Sequence, residues 1–189
     1  MKKASNTVLL ATLLSSSALA APAGTNYAGG QFAQVTYDES GFDEFKPTAL
    51  IGRFGHFFSP NFALEGRLGT GLSDDSKTYY ESGYVVDLSF EVDSIIGVYG
   101  VGHLPVNDVF SVYGLAGYSR VDATVEATAT DGFSTASISE SGDESGFSLG
   151  VGAEVNVGPN AALTLEYVSY LDESDFTVDA LSAGLNFRF

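Results

Sequence analysis

The sequence predicts an all-β fold: an eight-stranded antiparallel barrel, wound up-and-down, that spans a membrane. Three observations point there. From Leu181 to Phe189 every odd position is apolar and every even one is small or polar, the two-residue period of a strand, and Arg188 sits on the non-greasy face. Grease then faces lipid and charge faces a polar lumen. The connections between alternating runs go long, short, long, short, long, short, long, which makes eight strands from seven connections. Lastly, the chain's four arginines, Arg53, Arg67, Arg120 and Arg188, all fall inside strands. An arginine on the lipid face near midplane costs about 2–4 kcal/mol, so all four are expected in the lumen.

Residues 1–20 read as a signal peptide: basic Lys2 and Lys3, a short apolar run from Val8 to Leu14, and the small-residue site Ala18-Leu19-Ala20. The barrel domain is expected over 21–189. Its first strand runs from about Tyr27 to Tyr37, with the facing of Ala33, Val35 and Tyr37 left open, and an acidic loop, Asp38 to Lys46, follows. The second spans about Thr48 to Phe58, and Ser59-Pro60-Asn61 turns the chain. The third, Phe62 to Gly71, sets Phe62, Leu64 and Leu68 outward and Glu65 and Arg67 inward, before an acidic loop from Leu72 to Gly83.

The fourth strand begins at Tyr84, with Val86, Leu88, Phe90 and Val92 outward and Asp87, Ser89, Glu91 and Asp93 inward. Beyond Ser94 the alternation blurs, which predicts a bulge or a long strand reaching His103. After the turn Pro105-Val106-Asn107-Asp108, the fifth strand, Val109 to Ala127, places Tyr113, Leu115, Val121, Ala123 and Val125 on the greasy face and Arg120, Asp122, Thr124 and Glu126 on the polar one. The longest loop, Thr128 to Ser145, is rich in Ser, Thr and acid, mobile or in part a strand extension. The sixth strand, Gly146 to Val157, alternates Phe147, Leu149, Val151, Val155 and Val157 against Ser148, Glu154 and Asn156. The seventh, Ala162 to Leu171, sets Leu163, Leu165, Tyr167 and Leu171 against Thr164, Glu166 and Tyr170, and the acidic stretch Asp172 to Asp175 leads to the last strand.

Short turns and both termini fall at the periplasmic end and long loops outside. Arg53, Glu65, Arg67, Asp87, Glu91, Arg120, Asp122, Glu126, Glu154, Glu166 and Arg188 are the expected lumen ionic network. Phe57, Phe58, Phe62, Phe110, Tyr113, Phe187 and Phe189 lie close to the short turns, and Tyr37, Tyr84 and Tyr170 nearer the long loops, as two aromatic girdles would require. A soluble β-sandwich would leave the strand arginines and the terminal Phe189 without a reason.

Without cysteine there are no disulfides, thiolate metal sites or thiol chemistry. The formal charge of −16, or −18 once Lys2 and Lys3 are removed, argues against nucleic acid and against a polybasic membrane contact. The run Gly97-Val98-Tyr99-Gly100-Val101-Gly102 has no helix after it, so its glycines serve packing or curvature rather than a nucleotide.

The signal peptide, the pattern Tyr113-Gly114-Leu115-Ala116-Gly117-Tyr118 after a tight turn, and the terminal Leu185-Asn186-Phe187-Arg188-Phe189 resemble the small outer-membrane β-barrel family of OmpA transmembrane-domain and OmpX-like proteins. That resemblance implies a monomer in the outer membrane of a Gram-negative cell, in contact with outer-membrane lipid and lipopolysaccharide. It also implies delivery by periplasmic chaperones and insertion by the outer-membrane assembly machinery, for which Leu181, Ala183, Leu185, Phe187 and Phe189 form the assembly signal. Such barrels serve many ends. A structural or adhesive role through acidic external loops is expected first, a cation-preferring channel second and a lipid-modifying enzyme last. Barrel enzymes of the lipid A deacylase kind carry His and Ser near the outer rim, whereas His56 and His103 both precede periplasmic turns. No cofactor is expected. The loop acids suggest divalent cations at the cell surface, although no spacing matches an EF-hand.

Overall fold

The computed structural model describes residues 22–39, 43–81, 84–172 and 176–189. The expected signal peptide, its cleavage before Ala21, and the parts of the expected loops at 40–42, 82–83 and 173–175 lie outside them. Among the described residues there are nine strands: β1 (Asn26–Glu39), β2 (Thr48–Ser59), β3 (Phe62–Ser73), β4 (Asp75–Glu81), β5 (Tyr84–Pro105), β6 (Phe110–Thr130), β7 (Thr135–Asn156), β8 (Ala161–Asp172) and β9 (Phe176–Arg188). All pairings are antiparallel, and β1 pairs with β9 from Tyr27↔Arg188 to Glu39↔Phe176, which closes the sheet on itself. β3 and β4 lie along successive stretches of the same neighbour: Phe62↔Gly102 to Thr70↔Ser94, then Asp75↔Phe90 to Glu81↔Tyr84. They fill one place in the ring, so the barrel has eight strand positions. Closure removes the free edges that lipid could not satisfy.

The three short turns gather at one end with the start of β1 and the end of β9, where the Asn26 N–H donates to the Phe189 carbonyl at 2.9 Å. Asn107 shows why such a turn needs so few residues: its Oδ1 accepts from the N–H groups of Val109 (2.9 Å) and Phe110 (2.8 Å).

At the opposite end one expected loop is largely strand, and the stretch expected to be mobile or in part a strand extension is the extension. The stretch Leu72 to Gly83 is largely β4 hairpinned onto β5, and Thr128 to Ser145 is the far end of a β6–β7 hairpin that turns only at Asp131 to Ser134. The hydroxyls that suggested a loop face one another across the hairpin, Thr124 Oγ1 with Ser141 Oγ at 2.9 Å and Thr128 Oγ1 with Ser137 Oγ at 3.0 Å. Outside the bilayer a strand needs no lipid-facing grease, so polarity there says nothing against strand.

The barrel changes polarity along its height. Along the lower band of the wall the outward rows are apolar, as in Ile96 and Val98 of β5, Tyr118 of β6 and Phe147, Leu149 and Val151 of β7, all exposed. Farther out the same rows read Asp93, Glu91, Arg120, Glu126, Asp143 and Ser141, also exposed. Inside, the order is opposite: Arg53, Glu65, Arg67 and Glu166 are buried low in the lumen, while Phe90, Val92, Val121, Leu171 and Val178 are buried above them. On β5 the switch is made by one extra residue. The register steps from Val92↔Ala123 to Ser94↔Asp122, skipping Asp93 and reversing which parity faces in. On β8 the step from Ser169↔Asp179 to Leu171↔Val178 skips Tyr170 and does the same.

Several expected facings are therefore corrected. Phe90 and Val92 point inward and Asp87, Glu91 and Asp93 outward, because the bulge anticipated beyond Ser94 lies at Asp93 and the strand above it has water, not lipid, on its outer side. Tyr113, Leu115 and Val121 of β6 and Leu171 of β8 also point inward. Phe58, Phe62, Phe187 and Phe189 form the expected periplasmic girdle, but Phe57 is buried, as is Tyr170 at the other end. The exposed rings toward the outer end are Tyr118, Phe147 and Tyr167; the side chain of Tyr84 lies outside the described residues. Ala33 and Val35, left open above, face in.

Candidate functional site

Two places hold the chemistry: the low lumen and the strands beyond the bilayer. In the lumen, β2 supplies Arg53, β3 supplies Glu65 and Arg67, and β8 supplies Glu166, each on an inward position of its strand. All four side chains are 0% exposed. Arg67 is held on two sides. Its Nε donates to Glu65 Oε1 at 2.7 Å, and its Nη1 and Nη2 donate to Glu166 Oε1 and Oε2 at 2.5 and 2.8 Å, a planar two-point grip that a lysine could not make. Arg53 Nη1 lies 3.3 Å from Glu166 Oε2 and its Nε 3.3 Å from Glu65 Oε2, so each carboxylate is shared by both cations. Within this cluster two positive and two negative side chains balance.

Tyrosines complete the shell. Tyr27 OH donates to Glu65 Oε2 at 2.5 Å and Tyr113 OH to Glu166 Oε2 at 2.9 Å. The Arg53 guanidinium carbon lies 5.6 Å from both ring centroids, and that of Arg67 lies 4.8 Å above the ring of Tyr99. Each of these rings lies against a glycine: a Cβ at Gly55, Gly97 or Gly152 would run into Tyr27, Tyr99 or Tyr113 respectively. Thus the glycines of the Gly97–Gly102 run serve packing, as expected. A second, smaller group sits nearer the periplasm, where Glu154 meets Arg188 and accepts from Asn186 Nδ2 at 3.2 Å.

Of the predicted network residues, the structure therefore brings together Arg53, Glu65, Arg67 and Glu166, and separately Glu154 and Arg188. The other five are corrected. Asp87, Glu91 and Glu126 are exposed outside the barrel, and Arg120 points outward to Asp122 (Nε to Oδ1, 3.0 Å) and Asp143 (Nη2 to Oδ2, 3.1 Å). Arg120 does so past the last lipid-facing ring of β6, Tyr118, so its charge stands in water and carries no midplane cost. The Ser94 hydroxyl and the Arg120 guanidinium together hold the Asp122 carboxyl below its usual range. Tyr27, Tyr99 and Tyr113 are the functional residues that sequence reasoning missed. Their signal was present as glycine two residues away from tyrosine in the Gly97/Tyr99 pair and as small residues, Gly114 and Ala116, on the lipid side of β6.

The two histidines have different surroundings. His56 is exposed, with its Nδ1 2.8 Å from Asn26 Oδ1, while Ser59 Oγ accepts the Phe62 N–H at 3.1 Å to cap the turn. His103 is buried between Phe57 and Tyr113, ring centroids 4.9 and 5.2 Å away. Among the described residues no group of three or more His, Cys, Asp or Glu is placed to hold a metal ion.

The comparisons agree on architecture. The profile of the outer membrane protein beta-barrel domain matches residues 7–189. The crystal structure of Ail, the attachment invasion locus protein of Yersinia pestis, superposes with a TM-score of 0.60 at 20% identity, over 88% of this chain and 99% of that one. The outer membrane protein OprG from Pseudomonas aeruginosa gives 0.53 at 14% identity, over 89% and 97%. Neisserial surface protein A gives 0.51 at 18% identity, over 88% and 99%. At these identities the likeness is one of fold. No curated protein sequence matches the chain.

Proposed function

The chain belongs to the outer membrane protein β-barrel family and resides in the outer membrane, and from that premise we propose that it works as a non-enzymatic surface protein, structural and adhesive rather than conductive. One observation carries this reading: the low lumen is filled. Arg53, Glu65, Arg67 and Glu166 cross the bore with no solvent exposure, and the apolar side chains of Phe90, Val121, Leu171 and Val178 lie above them. A cation would have to displace a neutral cluster in which every carboxylate oxygen of Glu65 and Glu166 is already engaged. In planar bilayers the expected result is no steady current; a reproducible cation-selective step would overturn the proposal in favour of a channel.

What remains for contact is the projecting sheet. Past Tyr118, β6 runs on to Thr130, which at about 3.3 Å per residue adds on the order of 35 Å of strand beyond the apolar band. Its outer faces carry Asp87, Glu91, Asp93, Glu126 and Asp143 against few cations, Lys46, Lys77 and Arg120. The partner such a face suits is basic. Ail has been seen in complex with the heparin analogue sucrose octasulfate, but a polyanion is the wrong chemistry for this surface. Proteoliposomes should adhere to polylysine and not to heparin, and lose adhesion as salt shortens the Debye length. The assembly role of Leu181, Ala183, Leu185, Phe187 and Phe189 rests on their shared outward facing on β9, and contacts with lipopolysaccharide, periplasmic chaperones and the assembly machinery are proposed on the same family ground.

A further inference from the structure

β7 and β8 part company above the bilayer. Their ladder stops at Leu149↔Ser169, so that β7 from Thr135 to Ser148 is paired only with β6, and the outer end of β8 only with β9. Between them lies a cleft of about 490 Å³, within the size range of small-molecule sites. Its floor is the apolar upper core: Phe90, Val121, Leu171 and Val178, with the stacked rings of Tyr37 and Phe176 (centroids 5.8 Å apart) at the side. Its rim on β7 is acidic. Glu140 and Glu144 pair with Val125 and Val121 and so share the inward face with the apolar floor, and neither carboxylate has an ionic or hydrogen-bond partner among the described residues. Asp143, also at the rim, is engaged by Arg120.

We propose that this cleft binds a small cationic amphiphile, with its aliphatic or aromatic tail on Phe90, Val121, Leu171 and Val178 and its ammonium group between Glu140 and Glu144. An apolar floor alone accepts any tail. The two unpaired carboxylates above it select the sign of the head, favouring an amine, disfavouring a fatty acid and leaving an alcohol between them. The lateral gap lets the tail enter from the side, which the filled lumen below would not allow. Nothing here depends on the adhesive reading above, since a sheet that binds no basic surface could still hold the amphiphile.

The test uses the full barrel in lipid nanodiscs, with empty nanodiscs as background, and three probes below their micelle concentrations: octylammonium, octanol and octanoate. Methyl resonances of Val121, Leu171 and Val178 should shift saturably with octylammonium, more weakly with octanol and not with octanoate. Glu140→Gln with Glu144→Gln should weaken octylammonium about tenfold, to the level of octanol, while leaving octanol unchanged. Ala123→Phe, which fills the cleft from β6, should abolish both. Because the glutamines lie on an exposed strand, that variant keeps the question answerable even where Ala123→Phe does not fold. Equal binding of octanoate and octylammonium, shifts that never saturate, or octylammonium affinity unchanged by the glutamines would each overturn the assignment.

Discussion

The lower and upper halves of this barrel are built from the same strands and have opposite cross-sections. Below, leucines and phenylalanines face out and a cluster of arginine, glutamate and tyrosine fills the middle; above, aspartates and glutamates face out and phenylalanine, valine and leucine fill the middle. The difference lies in the surrounding solvent. In lipid the polar groups must find partners inside, and in water the apolar groups must. β5 and β8 cross from one solvent to the other by exchanging their faces with a single skipped residue each, Asp93 and Tyr170.

The comparison is sharpest for arginine. Arg67→Met removes one cation from a cluster whose carboxylates, Glu65 and Glu166, are wholly buried, and it should cost about 3–5 kcal/mol by leaving charge without a partner. Urea titration in phospholipid vesicles, followed by the folded and unfolded gel mobilities, measures it. Arg120→Met, the same chemical change on the upper exterior, should leave the midpoint where it was. If the two behaved alike, the division of the barrel into two solvents would be wrong.

Reversing the experiment on β7 gives the next effect. Val151 is 64% exposed on the lower, lipid-facing wall. Val151→Arg should therefore cost about 2–4 kcal/mol, whereas Ser139→Arg, on the exposed upper part of the same strand, should not move the transition. A third pair concerns space rather than charge. Gly152 lies under the Tyr113 ring, so Gly152→Ala should lose about 1–3 kcal/mol by overpacking, while Gly142, which has nothing within 4 Å of its would-be Cβ, should accept alanine without loss.

The same division explains what could be read from the sequence. The closed ring, its eight positions, its short turns and the lumen cluster of Arg53, Glu65, Arg67 and Glu166 were legible, because within the bilayer grease outward fixes the facing of β3, β9 and lower β8 from parity alone, although Tyr113 and Leu115 of β6 break that rule and face in. Above the bilayer that rule reverses. Applied unchanged, it sent Phe90, Val92 and Val121 outward and Asp87, Glu91, Arg120, Asp122 and Glu126 inward, although Arg120 and Val121 occupy consecutive positions of an unbulged strand and only the solvent differs. Tyr113 was hidden for a related reason. Tyrosine is apolar enough to read as girdle, and only the glycine it covers on β7, forty residues or so away in sequence, marks it as a lumen residue.

The smallest effect belongs to the tip of the upper sheet, at the β6–β7 turn. There Asp131 Oδ1 accepts the N–H groups of Phe133 (2.9 Å) and Ser134 (2.7 Å), and those two backbone donors hold its carboxyl below the usual range. A carboxyl depressed in the folded turn contributes order above its ordinary value and loses that contribution as pH falls through the depressed one. Amide exchange at Phe133 and Ser134, corrected for its intrinsic pH dependence, should therefore stay slow at neutral pH and quicken only in acid below the normal aspartate range. Asp131→Asn, which keeps an acceptor oxygen but has no charge to titrate, should flatten that pH response, while the lumen cluster of Arg53, Glu65, Arg67 and Glu166, sealed from solvent, should show no change across the same interval. An acid response spreading from the tip into β6 below Tyr118 would mean that the two halves are coupled more tightly than their opposite cross-sections imply.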